Sequence, residues 1–205
     1  MFGIEPKKFL ILLLVVAAIL AWRDWNSRDI VHDPGILVAE SPNQIETPEM
    51  PVIAVKGYQL TPRAMLQIRA RVLSRKNYRF GSEADLSPVD LALGWQVMSD
   101  QAVLDQIEVT QGSRWYYTRY QLPAPISDQA IIEHSGNMHM IPAATIVSRK
   151  LKSVRIGDIV RLQGLLVDAD HDSGWHWRTS RSRTDTGAGS CEIIYLQDIQ
   201  IEERP

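Results

Sequence analysis

The sequence predicts an α+β or mostly β fold: a small barrel-like antiparallel sheet with short helices, preceded by an N-terminal transmembrane helix. Three observations carry this prediction. The run FLILLLVVAAILAW, Phe9 to Trp22, has no charged side chain. AMLQIRARVLS alternates apolar and polar residues with the period of a strand. GDIVRLQGLLVDAD and CEIIYLQDIQI are apolar runs bounded by turn residues. The expected divisions are an anchor over 1–25, a proline-marked linker over 26–55 and an extracytoplasmic domain over 56–205.

The opening run covers 14 residues, about 21 Å of helix against a bilayer core of about 30 Å. Lys7 and Lys8 could snorkel to one interface and Trp22 and Trp25 suit the other, so a short span in thinned bilayer is the leading expectation. A cleaved signal peptide and a buried helix are the alternatives. A signal would place Ile19 and Ala21 at the small-residue positions before cleavage, and bulky Trp22 would follow. The short amino-terminal side favours N-in topology, with residues 9–22 in lipid and the main domain on the far side.

Beyond the anchor, Pro34, Pro42, Pro48 and Pro51 exclude one long helix from the connector. GILVA is apolar enough to dock on some surface, so the whole connector is not read as disordered. In the strand that follows, Leu66, Ile68, Ala70 and Val72 face one side and Gln67, Arg69 and Arg71 the other. LSPVDLALGWQVMSDQAVLDQI reads as one helix or two. Ser87 caps it, Pro88 fits the first turn, and Ser99 offers a restart. RWYYTRYQLP is a strand stopped by prolines, and Ser127 caps a short helical turn. In GDIVRLQGLLVDAD, Gly164 marks a bulge or bend. WHWRTSRS and CEIIYLQDIQI complete a carboxy-terminal meander.

Composition narrows function by exclusion. With 22 basic and 24 acidic side chains, the chain has no general reason to bind nucleic acid. Cys191 is the single cysteine, so no internal disulfide exists and a buried structural thiol is expected. No nucleophile elbow, phosphate loop, zinc-protease helix or paired cysteine motif is present, and the residues specify no cofactor.

Two segments hold the candidate chemistry. EHSGNMHMIP, read as a loop, gathers Glu133, His134, Ser135, Asn137 and His139. Glu133, His134, Ser135 and His139 are the candidate catalytic residues, and His134 with His139 the candidate metal ligands. Loop-stabilising hydrogen bonds are the plainer reading of the same residues. The second segment is DADHDSGWHWRTSRSRTDTG, whose Arg178, Arg181 and Arg183 could receive a carboxylate or phosphate. Pairing with Asp185 or Glu192 would need no ligand. The ligand-binding candidates are therefore Asn137, Arg178, Arg181, Arg183 and Asp185.

LALGWQVMSD, RWYY, IIEHSGNMHMIPA, GDIVRLQGLLVDAD and GWHWRTSRSRTDTGAGSCE resemble an uncharacterised family of bacterial proteins with an amino-terminal membrane segment. The resemblance implies a bacterial inner membrane with the domain in the periplasm, and it carries no activity to any residue. The leading functional expectation is thus a membrane-anchored binding or scaffold module with a protein partner in the cell envelope. The alternatives are an envelope hydrolase or metal enzyme using His134 and His139, and a domain binding an anionic polymer.

Overall fold

The computed structural model describes residues 6–46, 49–182, 184, 185, 187, 190–202 and 204. Arg183, one of the candidate ligand-binding residues, lies outside them.

The chain opens with helix α1 (Pro6–Ser27). Every side chain from Phe9 to Val16 is exposed, as are Ile19 and Leu20. No helix among the described residues is long and apolar enough to cross a membrane. This corrects the expected anchor, the lipid contact through residues 9–22, and the single-pass inner-membrane setting with its periplasmic domain. The physical reason lies in the arithmetic, because 14 apolar residues fall about 9 Å short of a typical hydrocarbon core.

Residues 30–38 lie along the domain. Ile30 donates its amide to Ile156 O, and the amides of Leu37 and Val38 both donate to Ser99 Oγ at 3.1 and 3.0 Å. Val38 is fully buried in the main core.

Strands β1 (Asn43–Glu46) and β2 (Ile53–Val55) pair with the long β3 (Tyr58–Asn77), whose first half keeps the expected period of two. Helix α2 (Ser82–Leu86) leads into β4 (Val89–Gly94). A 3-10 turn (Gln96–Ser99) and α3 (Gln101–Leu104) precede β5 (Ile107–Gly112) and β6 (Trp115–Tyr120). Then come α4 (Asp128–Glu133), β7 (Ser135–Pro142) and α5 (Thr145–Ser153). The chain closes with β8 (Ile159–His171), the two-residue β9 (His176–Trp177) and β10 (Glu192–Ile201).

Eight strands form one sheet in the order β1-β3-β4-β7-β10-β8-β9, with β2 on β3 and a further β3–β8 pairing; β5 and β6 form a separate two-stranded sheet. The β7–β10 pair is parallel and the other pairings are antiparallel. The fold is therefore mixed α+β, with a mostly antiparallel sheet and several short helices. It replaces the expected transmembrane helix and small barrel-like domain. The carboxy-terminal strands do not form a simple meander, because β10 sits between β8 and β7.

Two local expectations fail for a shared reason. Residues 89–94, expected in a helix, form a strand buried at every position. EHSGNMHMIP, expected as a loop, is strand β7 from Ser135 onward. Both strands are covered on two faces, so their apolar residues do not alternate cleanly with polar ones. Leu91, Leu93, Met138 and Met140 enter the main core, while Ala92 joins a smaller cluster beneath β5 and β6.

Candidate functional site

The polar face of β7 organises the site. Ser135, Asn137 and His139 alternate along the strand and so project to one side. On neighbouring β4, Asp90 stands opposite His139 and Ala92 opposite Asn137. Asp90, Asn137 and His139 are at most 2% exposed.

The β5–β6 hairpin covers this face. Its turn residues Ser113 and Arg114 both have positive φ, 51° and 70°, the geometry of a type I′ turn that glycine and asparagine usually supply. A non-glycine pair there costs about 1–2 kcal/mol per residue, and contacts at Arg114 offset that cost. Its Nη1 donates to Asp90 Oδ1 at 2.7 Å, and its guanidinium lies 3.8 Å from the Tyr78 ring centre. Its backbone N–H donates to Tyr78 Oη at 3.0 Å. Its carbonyl accepts from Asn137 Nδ2 at 2.9 Å and from the Cys191 thiol at 3.7 Å. The hairpin tip is thus tied to β4, β7 and the start of β10.

Beside the hairpin lies a cleft of about 560 Å³, lined by β6, α4, β7 and the segment leading into β10. Trp115, Tyr116 and Tyr120 supply aromatic wall, Ile131 and Ile132 aliphatic wall, and Ser135 and Asn137 the polar floor. The floor is fixed by internal bonds: Asn137 Oδ1 accepts from Gln111 Nε2 at 2.6 Å, and Ser135 Oγ donates to Ile131 O at 2.6 Å. Tyr116 Oη stands 3.2 Å from Ser135 Oγ, and burial pushes its phenol above the ordinary range. Asp128, Asp185 and Glu192 line the same cleft, with Arg119 as its basic member. Tyr120 donates a hydrogen bond to Asp128.

Across Trp115 and Cys191 lies a second recess of about 460 Å³, lined also by Arg114, His139, Trp177 and Arg178. His139 Nδ1 is 2.9 Å from Asp90 Oδ1 but out of line for a hydrogen bond, and the imidazole lies tilted by 40° against Trp177 with ring centres 4.4 Å apart. Burial raises the Cys191 thiol to about 11, so the residue is a protonated donor at neutral pH rather than a nucleophile.

The structure divides the sequence candidates. Ser135, Asn137 and Asp185 meet in the cleft, while His139 and Arg178 line the second recess. Glu133 is exposed on α4 and accepts from Gln129 Nε2 at 2.7 Å. His134 ends that helix with Nδ1 2.8 Å from Ala130 O. His134 closes α4 and lies outside β7, and it lines neither the cleft nor the recess that His139 lines. Among the described residues no group of three or more His, Cys, Asp or Glu could hold a metal ion. The metal-dependent hydrolase expectation is corrected accordingly.

The anionic-polymer expectation is corrected as well. Arg178 holds Asp170 with two bonds of 2.6 and 3.0 Å, and Arg181 holds Glu46 at 3.0 Å. Asp185 accepts from Ser180 Oγ at 2.7 Å. Among the described residues, both arginines of the expected cationic stripe are thus already neutralised by carboxylates.

Sequence reasoning missed Asp90, Arg114, Trp115, Tyr116 and Glu192 as site residues. One signal was present: Asp90 is a single carboxylate inside the apolar run VDLALG, and such a group needs a partner when buried. The comparisons bring no outside help, since no family model, curated protein or solved structure matches the chain. The resemblance to a bacterial membrane-anchored family is therefore unsupported, and the scaffold role that leaned on it falls with the anchor.

Proposed function

We propose that the chain is a binding protein for a small polar organic molecule, uncharged or cationic, held in the 560 Å³ cleft beneath the β5–β6 hairpin. One observation carries the reading. The cleft joins aromatic wall from Trp115, Tyr116 and Tyr120 to a polar floor whose Ser135 and Asn137 are already locked by internal bonds. A pocket of this size with a few fixed polar groups among apolar walls is what small-ligand recognition requires, and prior locking lowers the ordering cost of binding.

Charge narrows the class. Three carboxylates face one guanidinium across the lining, which disfavours an anion. The bound molecule would lay a flat or apolar face on Tyr116 and turn hydroxyl or amide groups toward Asn137 and Asp185.

The test is a thermal-shift and NMR screen of the full chain against small metabolites sorted by charge. Cationic and neutral hits should perturb Tyr116, Ile132 and Asn137 signals. Tyr116→Ala should weaken any such hit about tenfold or more, the loss of one aromatic contact of about 1.4 kcal/mol or above. A screen with no hits, or hits indifferent to Tyr116, overturns the reading.

A further inference from the structure

One wall of the 560 Å³ cleft is the free edge of a strand. Among the described residues β6 pairs only with β5. Trp115, Tyr116, Thr118, Arg119 and Tyr120 line the cleft from both faces of β6, and no described residue of β5 lines it. The cleft therefore runs along the unpaired edge of β6 rather than over one of its faces. The hairpin register tells which backbone groups stand on that edge. A two-residue turn at Ser113 and Arg114 makes Gly112 and Trp115 the hydrogen-bonded pair that closes it. By alternation Tyr117 and Arg119 also turn their backbone groups to β5, while the N–H and C=O of Tyr116, Thr118 and Tyr120 point away from it. Among the described residues these outward groups meet no hydrogen-bond partner.

We infer that the ligand of this cleft is a short, extended, uncharged peptide segment, which adds to β6 as a third strand and exchanges N–H and C=O bonds with Thr118. The inference rests on the cleft being a ligand site and names the chemistry that the site takes. An open strand edge is a template for another backbone, and main-chain hydrogen bonds then supply the affinity. Side-chain charge offers no comparable anchor. Arg119 lies 3.4 Å from Glu108, Asp128 accepts from Tyr120, Asp185 accepts from Ser180, and Glu192 is engaged as well. Every charged residue lining the cleft thus has a partner, and the outward groups of β6 are what a ligand can satisfy. Ile131 and Ile132 give apolar side chains of the segment a wall to pack on.

Two probes test it: acetyl-valyl-alanyl-valine methylamide, and the same molecule N-methylated at its alanine, which lacks one backbone donor. Each is titrated into the isotope-labelled full chain while amide hydrogen exchange is followed residue by residue. In the free chain the Thr118 N–H should exchange fast at any protein concentration, and the Tyr117 N–H, bonded to β5, slowly. At saturation the first probe should shift Ile132 and Asn137 signals and slow Thr118 exchange about tenfold or more. The N-methylated probe should bind about fivefold more weakly or worse, the loss of one hydrogen bond. Thr118→Pro removes the outward donor at an edge position that proline tolerates and should abolish the difference between the probes. The readings on the unaltered chain decide the matter even if that variant does not fold. Equal affinity for the two probes, or a Thr118 amide left unprotected at saturation, overturns the inference. So does a Thr118 amide protected in the free chain, and protection that grows with chain concentration would give the edge to a second copy instead. If screened metabolites move Ile132 and Asn137 and the peptide does not, this inference falls and the cleft remains a ligand site. If nothing moves them, both fall.

Discussion

Arg114 shows how one side chain can hold both a fold and a site. It stands in a left-handed turn conformation, 13% exposed, with its charge against an Asp90 side chain that is 0% exposed. Removing one member of such a buried pair leaves the other uncompensated, which costs about 3–5 kcal/mol. Arg114→Ala should therefore lower stability to urea by about that amount, and combining it with Asp90→Ala should recover part of the loss. Full additivity of the two changes would show that the pair is not coupled. Cys191 gives a second residue-scale expectation. Burial raises its thiol from 9.0 to about 11, so near pH 8 it holds about a hundredfold less thiolate than at the ordinary value. Alkylation of the native chain should be slower by at least that factor and should become fast in denaturant. Labelling at the rate of a free thiol in the folded state would contradict the assignment.

Elements divide by how many of their faces are covered. β3 was legible because its outward positions, such as Gln59, Gln67 and Arg69, carry polar groups between buried Leu60, Leu66, Ile68 and Ala70. α4 was legible through its cap, as Ser127 Oγ accepts from Ala130 N at 3.2 Å. β4 and β7 were not legible, because partners on both faces remove the period that distinguishes strand from helix. The candidate site inherits this division. Ser135, Asn137 and His139 stand out in the sequence for their chemistry, yet nothing in its periodicity reveals the strand that aligns them. Gly164 shows a subtler case. The sequence places a bulge there, whereas the register shift lies opposite it, between Leu196 and Asp198 of β10. A Cβ at Gly164 would run into the Tyr195 carbonyl. Gly164→Ala should then cost about 1–3 kcal/mol through overpacking, read as a lower thermal midpoint. A midpoint unchanged from the parent would place the strands further apart than the register requires.

At the scale of the whole molecule, distant parts of the chain are gathered around the sheet by charge as well as by core packing. Arg69 of β3 grips Glu202, just after β10, with two bonds of 2.8 Å, and Arg161 of β8 adds a third at 2.9 Å. Arg69 also donates to the Leu37 carbonyl at 2.9 Å, which links the clamp to the segment bearing Val38. No periodicity announces such a clamp, since Arg69 and Glu202 lie 133 positions apart in sequence. The hydrogen bonds from Arg69, followed by the charges of Arg69 and Arg161, hold the Glu202 carboxyl below its ordinary 4.5. In the unfolded chain the group titrates near the ordinary value, so its stabilising effect is complete above that pH. It fades as the pH falls through the lower, folded-state value, where both states are protonated. Glu202→Gln should accordingly be less stable than the parent by a constant margin from about pH 8 to about pH 5. The margin should narrow on further acidification, as measured by urea midpoints across the range. A gap that keeps its size at the acid end would mean that the substituted amide disturbs packing rather than charge.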